Sequence, residues 1–477
     1  MQMKIKCSRA EACYILYTMV FILFALCGGF VSYKVEMYFV MITYFWLFAL
    51  VYVKEGKTIS LYLVFLVTYF LFLLARVFLN CIGVYDLTEL NLYQNSHMSN
   101  EVAMETLSVI TIFLIGTSYA WIIIRNKHKN RYIFSAVNRY SDDIKLPKTR
   151  LNDLLKAAYF VFIILHGAKN VYRLGYVAIY GYKLLFNGGM SAIGYPAILT
   201  GAATISEFLF VVLMYYNRDK KSFKLYGGSM LVVYMLGFLT GQRGPAIIFL
   251  IYLIFLWSTY YEPIRIWNKK LIAVVIILPI FIQGMFKMRN NIEFSWDAYF
   301  GDNLYFSMLE DTGAIINVVA YCVMYGAQFT NKVPFLLGYF VDFFKAEPAG
   351  QVIEDITEGN YLGDHLMYHL DSTRYFFGNG TGTSIVAETY CTAFLSLLLT
   401  LILAFLITYF VLKVEKNMYH SLPLFGVAYY LLRNFIYSPR DSIFKDLRSM
   451  VFVFLGCLVI SLLSERVSSK QVVHRRL

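Results

Sequence analysis

Three arginines stand where apolar runs of this chain stop. Arg243 lies in T-G-Q-R-G, Arg289 in F-K-M-R-N and Arg440 in S-P-R-D, and Arg374 stands in the same late region as Arg440. A cation at a membrane boundary costs free energy unless it reaches water or an anionic partner. Guanidinium groups form bidentate bonds to phosphate oxygens, and these bonds strengthen where water is scarce. The placement favours a phosphate-containing ligand at the membrane surface, and the alternative is that each arginine only marks an interface.

A glycine-rich segment, F-G-N-G-T-G-T-S-I-V-A-E-T-Y, is the second chemical feature. Gly380 and Gly382 let the backbone approach a ligand, while Thr381 and Thr383 offer hydroxyl groups. Glu388 then follows about one turn inside the next apolar run, where its carboxylate could accept a proton from a sugar hydroxyl. Taken alone, such a run is also compatible with a flexible entry to a helix.

His365 lies in a polar group just before Arg374, together with Asp364, His369 and Asp371. This position is compatible with a general base. The spacing of His365 and His369 would suit a metal ion on a helix, yet no third ligand is evident. The sequence therefore predicts no metal site and no cofactor.

The composition identifies an integral membrane protein. Of the 477 residues 59% are hydrophobic and only 15% are charged, whereas soluble domains carry about 25% charged residues. The net charge of +12 does not indicate nucleic-acid binding, because most of the basic residues lie in short linkers between apolar runs, as an orientation signal requires.

An all-α polytopic fold with about twelve transmembrane helices is expected, since each span needs roughly 17 to 25 apolar residues. The linkers that should face the cytoplasm hold twenty Lys and Arg as far as residue 270, and the alternate linkers as far as Lys287 hold five. This asymmetry predicts that both termini are cytoplasmic. The predicted spans are 12–32, 37–53, 59–80, 102–124, 153–173, 195–216, 225–241, 244–260, 271–287, 390–412, 422–437 and 448–464.

The chain divides by this pattern into a nine-span bundle (1–287), a large extracytoplasmic loop (288–388) and three further spans with a basic cytoplasmic tail (389–477). The loop holds thirteen acidic and four basic residues, and its length and apolar content predict a small folded subdomain. Within it the apolar stretch 313–328 has 16 residues, which reach only about 24 Å as a helix. It is expected to lie against the membrane or other helices rather than to cross.

These residues resemble the Wzy-type oligosaccharide repeat-unit polymerases of bacterial O-antigens and capsules. The likeness lies in TGQRGP (240–245), FKMRN (286–290), EDTG (310–313) and GNGTGTSIVAETY (378–390). It implies a GT-C-like helical glycosyltransferase of the bacterial inner membrane that moves a growing glycan from undecaprenyl diphosphate onto a lipid-linked repeat unit. Arg243 and Arg289, and with them Arg374 and Arg440, would then bind the diphosphates.

The resemblance assigns Glu388 to the motif, whereas His365 is a candidate base by position alone. The partners would be the lipid-linked donor and acceptor and the bilayer, and a chain-length regulator and a flippase remain open as protein partners. Two alternatives also remain open. An O-antigen ligase would use the same donor chemistry, and a lipid-linked oligosaccharide flippase would have a similar number of spans. Transporters are generally built from two repeated halves, which this chain does not show.

Overall fold

The computed structural model describes residues 8–28, 32–89, 98–127, 150–180, 197–241, 243–269, 271–273, 277, 280, 304–329, 334–345 and 351–474. Within these ranges the chain is helical, and an isolated antiparallel bridge joins Thr58 to Arg265. The expected all-α class is confirmed for the part of the chain that is described.

The helices follow one another with short connections. They are α1 (Arg9–Leu26), α2 (Tyr33–Lys54), α3 (Leu61–Tyr69), a π-helical turn (Phe70–Leu74), α4 (Ala75–Cys81), α5 (Asn100–Lys127), α6 (Arg150–Tyr180), α7 (Ala197–Tyr216), α8 (Lys220–Leu239), α9 (Arg243–Tyr260), α10 (Leu304–Thr312), α11 (Ile316–Tyr325), α12 (Gly338–Val341), α13 (Ile353–Thr357), α14 (Leu362–Leu370), α15 (Ser372–Phe376), α16 (Ile385–Thr392), α17 (Leu397–Asn417), α18 (Leu422–Tyr437) and α19 (Leu447–His474).

Nine helices among the described residues are long and apolar enough to cross a membrane. They are Arg9–Leu26, Tyr33–Lys54, Leu61–Cys81, Asn100–Asn126, Leu151–Tyr180, Lys220–Leu239, Leu304–Gln328, Leu397–His420 and Leu447–Ser464, and Gly201–Tyr216 and Gly244–Tyr260 are shorter apolar helices. The sequence-predicted span 271–287 lies almost entirely outside the described residues. The total of twelve spans therefore stays a prediction.

The chain forms two compact units, each assembled from separate stretches of sequence. The first unit comprises Met1–Asn130, Ile264–Lys413 and Asn434–Lys445, and the second comprises Arg131–Pro263, Val414–Arg433 and Asp446–Leu477. The first unit contains α1 to α5 and the whole segment from α10 to α16, so it holds most of the residues that sequence analysis selected.

Hydrogen bonds between helices fix the register of the first unit. Tyr62 near the start of α3 meets Thr117 near the end of α5, at 2.9 Å between hydroxyl oxygens. Tyr390 in α16 donates to Glu105 near the start of α5 at 2.5 Å, and the backbone of Leu401 in α17 packs on Gly116. Helix α3 is thus antiparallel to α5, whereas α17 runs parallel to it. The end of α4 and the starts of α5, α16 and α17 consequently lie together, and we call this the loop end of the unit.

The opposite end of the first unit is held by ion pairs next to the basic linkers. Lys54 lies 3.4 Å from Glu11, which also caps α1 by accepting a hydrogen bond from the Ser8 backbone at 2.6 Å. Arg125 lies 3.1 Å from Glu55. These contacts close the end of the unit that carries the positive charge expected on the cytoplasmic side.

The helix around residues 313–328 is longer than its apolar stretch suggested. It begins at Leu304 and runs to Gln328, 25 residues, so the argument that it is too short to cross was wrong. The error arose because the polar sequence EDTG was taken as the boundary of the helix, whereas α10 continues through Thr312 into Gly313–Ile315 and α11.

Both ends of this helix nevertheless contact the loop end. Gly313 packs on Arg76, near the end of α4, and Gly326 packs on Leu395, just before α17. Arg76 also donates to the carbonyl of Glu310 at 2.8 Å and to the side chain of Asn317 at 3.2 Å. A helix that crossed the unit would contact opposite ends of its neighbours. The contacts therefore favour the expectation that it lies across the loop end, although its crossing stays untested.

The predicted span 390–412 was wrong at its beginning. Helix α16 ends at Thr392, and α17 begins only at Leu397. Between them Phe394 and Leu395 have φ values of 52° and 61°, a left-handed conformation that interrupts helical geometry. Glu388 therefore stands on a short separate helix and not inside the following span.

Candidate functional site

The glycine-rich segment forms a connection between α15 and α16 at the loop end. Gly378 and Gly382 have φ values of 81° and 73°, a conformation that side chains disfavour. Gly363, at the start of α14, lies so close that a Cβ atom there would stand 2.8 Å from the carbonyl oxygen of Gly382. The Thr381 hydroxyl donates to the Gly363 carbonyl at 3.2 Å. The glycines thus let this connection press directly on α14.

Glu388 lies in the first turn of α16, whose start Ser384 caps by accepting a hydrogen bond from the Val386 backbone at 3.3 Å. Its side chain is 2% exposed. Oε1 accepts a hydrogen bond from the Thr383 hydroxyl at 3.1 Å, whereas Oε2 is buried without a hydrogen-bond partner in the described part of the chain. A buried, half-satisfied carboxyl group is costly, which makes it a candidate for a functional role.

The connection after α18 lies against α16 from the other side. The Ile385 backbone donates to the Ser438 carbonyl at 2.9 Å, which places the segment S-P-R-D beside the start of α16. Asp441 in this segment forms an ion pair with Lys445 at 2.7 Å. Asp441 and Ser442 both act on Glu388 electrostatically. The glycine-rich segment and the S-P-R-D segment, remote in sequence, therefore meet at this carboxyl group.

Burial raises the pKa of Glu388 to about 8. Exclusion of water is the main cause, because it disfavours the charged form. The negative charge of Asp441 adds to the rise, and the hydroxyls of Ser442 and Thr383 oppose it only in part. A pKa close to the working pH is what a proton-transfer group requires.

Arg440 is the diphosphate candidate that lies closest in sequence to this site. Its guanidinium carbon is 5.6 Å from the centre of the Phe72 ring, in the π-helical turn of the third span. Within the described residues no carboxylate lies within ion-pair distance of it. Such π-helical turns are frequent at functional sites, and Arg440 is half-buried there.

The other three arginines are not brought together with Arg440. Arg374 is 62% exposed and pairs with Asp371 at 3.4 Å. Arg243 begins α9 in the second unit, with its side chain outside the described residues, and Arg289 lies outside them entirely. The convergence of the four arginines on one ligand therefore remains a prediction.

His365 is buried on α14 among the rings of Phe329 and Phe335, whose centroids lie 6.2 and 5.6 Å away. Its Nε2 is 2.9 Å from the carbonyl oxygen of Gly359. Since a carbonyl only accepts, Nε2 carries the hydrogen and cannot itself take a proton in this arrangement. No three His, Cys, Asp or Glu residues in the described ranges are close enough to share a metal ion.

Sequence reasoning missed a buried polar network in the second unit. Arg433 on α18 pairs with Asp446 at 3.0 Å and lies 3.6 Å from Glu207. Its guanidinium also donates to the Tyr234 hydroxyl at 2.8 Å, and Tyr430 donates to Glu207 at 2.6 Å. The available signal was an arginine inside the apolar run 422–437, because charged groups within such runs are rarely accidental.

Comparison with known proteins decides the family. The profile of the family described as O-antigen polysaccharide polymerase Wzy matches residues 13–471, nearly the whole chain. The chain belongs to this family. Members act on lipid-linked oligosaccharides in the membrane, so the chain is a multi-pass membrane protein of polysaccharide biosynthesis. A search among curated proteins gives no match, and a search among solved structures gives none either. The GT-C-like fold implied by the resemblance therefore stays a prediction.

Proposed function

We propose that this protein polymerises a bacterial surface polysaccharide by transferring the growing glycan from undecaprenyl diphosphate onto a lipid-linked repeat unit. The observation that carries the proposal is the buried Glu388, with Oε2 lacking a hydrogen-bond partner within the described residues. It lies where the glycine-rich segment and the S-P-R-D segment meet. Family membership supplies the class of substrate, and this carboxyl group supplies a place for the proton transfer that the reaction needs.

The chemistry proceeds by displacement at the anomeric carbon of the donor. The hydroxyl oxygen of the acceptor sugar forms a bond to that carbon, and the bond from the carbon to the phosphate oxygen breaks. Undecaprenyl diphosphate leaves with the electron pair, and the hydroxyl proton passes to the ionised form of Glu388. Because the diphosphate is already a good leaving group, the proposal requires no nucleotide sugar and no metal.

Arg440 is proposed to stabilise the negative charge on the departing diphosphate. A guanidinium group half-buried next to Phe72 would bind phosphate oxygens more strongly than one in water. Arg243 and Arg289 stand at comparable positions in the sequence pattern and are proposed to act in the same way, as is Arg374. His365 remains a second candidate base, through its other ring nitrogen.

The reaction is proposed to take place on the extracytoplasmic side of the inner membrane. In the first unit the ion pairs of Glu11 and Glu55 close the end that carries the basic linkers. Glu388 belongs to the loop end, which is the opposite one. With twenty basic residues in one set of linkers and five in the other, the loop end faces away from the cytoplasm.

The deletion phenotype tests the function against its alternatives. Loss of a polymerase should leave single repeat units on the cell surface, whereas loss of a ligase should leave polymer accumulating on the carrier lipid. Loss of a flippase should hold repeat units on the cytoplasmic side. Either of the last two outcomes would contradict the proposal.

Complementation of the deletion tests the arginines. We expect Arg243→Ala, Arg289→Ala and Arg440→Ala to remove long chains from the glycan ladder while the protein remains in the membrane at normal amounts. Arg→Lys should restore little at these positions, because a single ammonium group cannot form the bidentate contact. Long chains persisting in all three alanine variants would exclude the diphosphate role.

A further inference from the structure

A group of aromatic and acidic side chains lies around Glu388 and is not used by the mechanism above. We call it the Tyr339 cluster, and it comprises Tyr339, Tyr361 and Asp364. All three belong to the first unit, and each is half-buried. They come from α12, from the residue before α14 and from the first turn of α14.

Close backbone contacts fix the position of Tyr339. A Cβ atom on Gly338 would stand 2.2 Å from the carbonyl oxygen of Asn360, so only glycine allows α12 to approach this segment. The buried Asp342 holds the same segment by accepting from the backbone and the side-chain amide of Asn360, each at 2.9 Å. As a result the rings of Tyr339 and Tyr361 lie 4.7 Å apart between centroids.

The same region borders both segments that meet at Glu388. Gly363 next to Asp364 packs on Gly382 of the glycine-rich segment. Phe340 next to Tyr339 packs on Phe444 after the S-P-R-D segment, with 4.9 Å between ring centroids. The Tyr339 cluster is therefore continuous with the surroundings of Glu388.

Electrostatics agrees with this placement. Burial raises the pKa of the Tyr339 phenol well above its usual range, and the carboxylates of Asp441, Glu388 and Asp364 raise it further. The phenol consequently stays protonated and can donate a hydrogen bond. The cluster thus combines two aromatic rings, a phenolic donor and carboxylate acceptors within one small region.

We propose that Tyr339, Tyr361 and Asp364 bind the terminal sugar of the acceptor repeat unit and present its hydroxyl group to Glu388. This inference rests on the proposed function. A sugar offers several hydroxyl donors and acceptors and an apolar ring face, and these match carboxylates, a phenol and aromatic rings. The donor sugar fits less well, because it is bonded directly to a diphosphate that the carboxylates of Asp364 and Asp441 would repel.

The test measures glycan binding without any phosphate. The probe is the repeat-unit oligosaccharide released from its carrier lipid, titrated into the purified full-length protein in detergent. We expect Tyr339→Phe and Asp364→Asn each to weaken its affinity about tenfold, as loss of one buried hydrogen bond does. Asp371→Asn, an acidic change at the start of the adjacent α15, should leave the affinity unchanged. Glu388→Gln should bind the oligosaccharide but fail to extend it.

The outcomes separate this inference from the proposed function. Tyr339→Phe keeps the ring that packs on Tyr361, and unchanged thermal unfolding of this variant checks that it is folded. If the wild-type protein makes polymer but binds no free oligosaccharide, or if both variants bind it as the wild type does, the subsite is wrong and the function stands. If the variants raise only the KM for the lipid-linked donor chain, the subsite is also wrong. Failure of the wild-type protein to polymerise lipid-linked repeat units would instead contradict the function itself.

Discussion

At the scale of single residues, Glu388 is the group on which the proposed chemistry depends. It is buried, its Oε2 has no hydrogen-bond partner in the described ranges, and burial raises its pKa to about 8. A carboxyl group in this state is mostly protonated at neutral pH, and only the ionised fraction can accept a proton. Its low occupancy is offset by its greater basicity, which is the usual compromise for a general base.

The pH dependence of polymerisation follows from this pKa. Below pH 8 the rate should rise about tenfold per pH unit, because the ionised fraction of Glu388 rises by that factor. It should level off above about pH 8. The rate of chain extension by the purified protein in proteoliposomes, measured from pH 6 to pH 9, checks this. A rate that falls over the same range would mean that Glu388 acts in its protonated form.

At the scale of elements, the site is built where two connections press on one short helix. The glycine-rich segment packs on α14 through Gly363, and the S-P-R-D segment joins the start of α16 through Ser438. The break after α16 at Phe394 and Leu395 separates this helix from the following span. Glu388 is thereby held at the loop end and not within the apolar part of α17.

Two glycines of this region should respond differently to the same change. Gly363→Ala would place a Cβ atom 2.8 Å from the Gly382 carbonyl oxygen, whereas the nearest atoms to a Cβ on Gly380 are at 3.9 Å. We expect Gly363→Ala to cost about 1–3 kcal/mol of stability through overpacking and to shorten the glycan chains. Thermal unfolding and the glycan ladder provide the measurement, with Gly380→Ala as the control. Equal effects of the two changes would argue against a close fit between these segments.

The helix Leu304–Gln328 gives a separate test of the architecture. Because both of its ends contact the loop end, Tyr305→Cys and Gln328→Cys should both react with a membrane-impermeant maleimide added outside the cytoplasmic membrane. The experiment uses a background in which the seven native cysteines are replaced. Both chosen positions are exposed. Reaction at only one of them would show that the helix crosses the membrane.

At the scale of the whole molecule, sequence patterns predicted well where one physical rule applies along a continuous stretch. Long apolar runs predicted most helices to within a few residues, because a helix is the simplest structure that satisfies its backbone in a membrane. Glu388 was also found, since a carboxylate beside a glycine-rich segment has few structural uses.

The remaining features depend on contacts between residues that are distant in sequence. The packing of Tyr339 on Tyr361 follows from Gly338, whose role appears only when the Asn360 carbonyl is in place. Likewise, EDTG looked like a helix boundary, yet Arg76 accepts this sequence into a continuous helix by binding the Glu310 carbonyl. Composition carries no information on such pairs. His365 was chosen by position, and its contact with Gly359 is equally invisible in the sequence.

The most direct test is polymerisation by the purified protein in proteoliposomes that contain only the lipid-linked repeat unit. The wild-type protein should produce a ladder of chains and release undecaprenyl diphosphate. Glu388→Gln, which keeps the size and the neutral hydrogen bonding of the protonated group, should reduce this rate by about 10²–10⁴ while the protein remains folded. A ladder formed by Glu388→Gln at the wild-type rate at pH 8 would contradict the central claim.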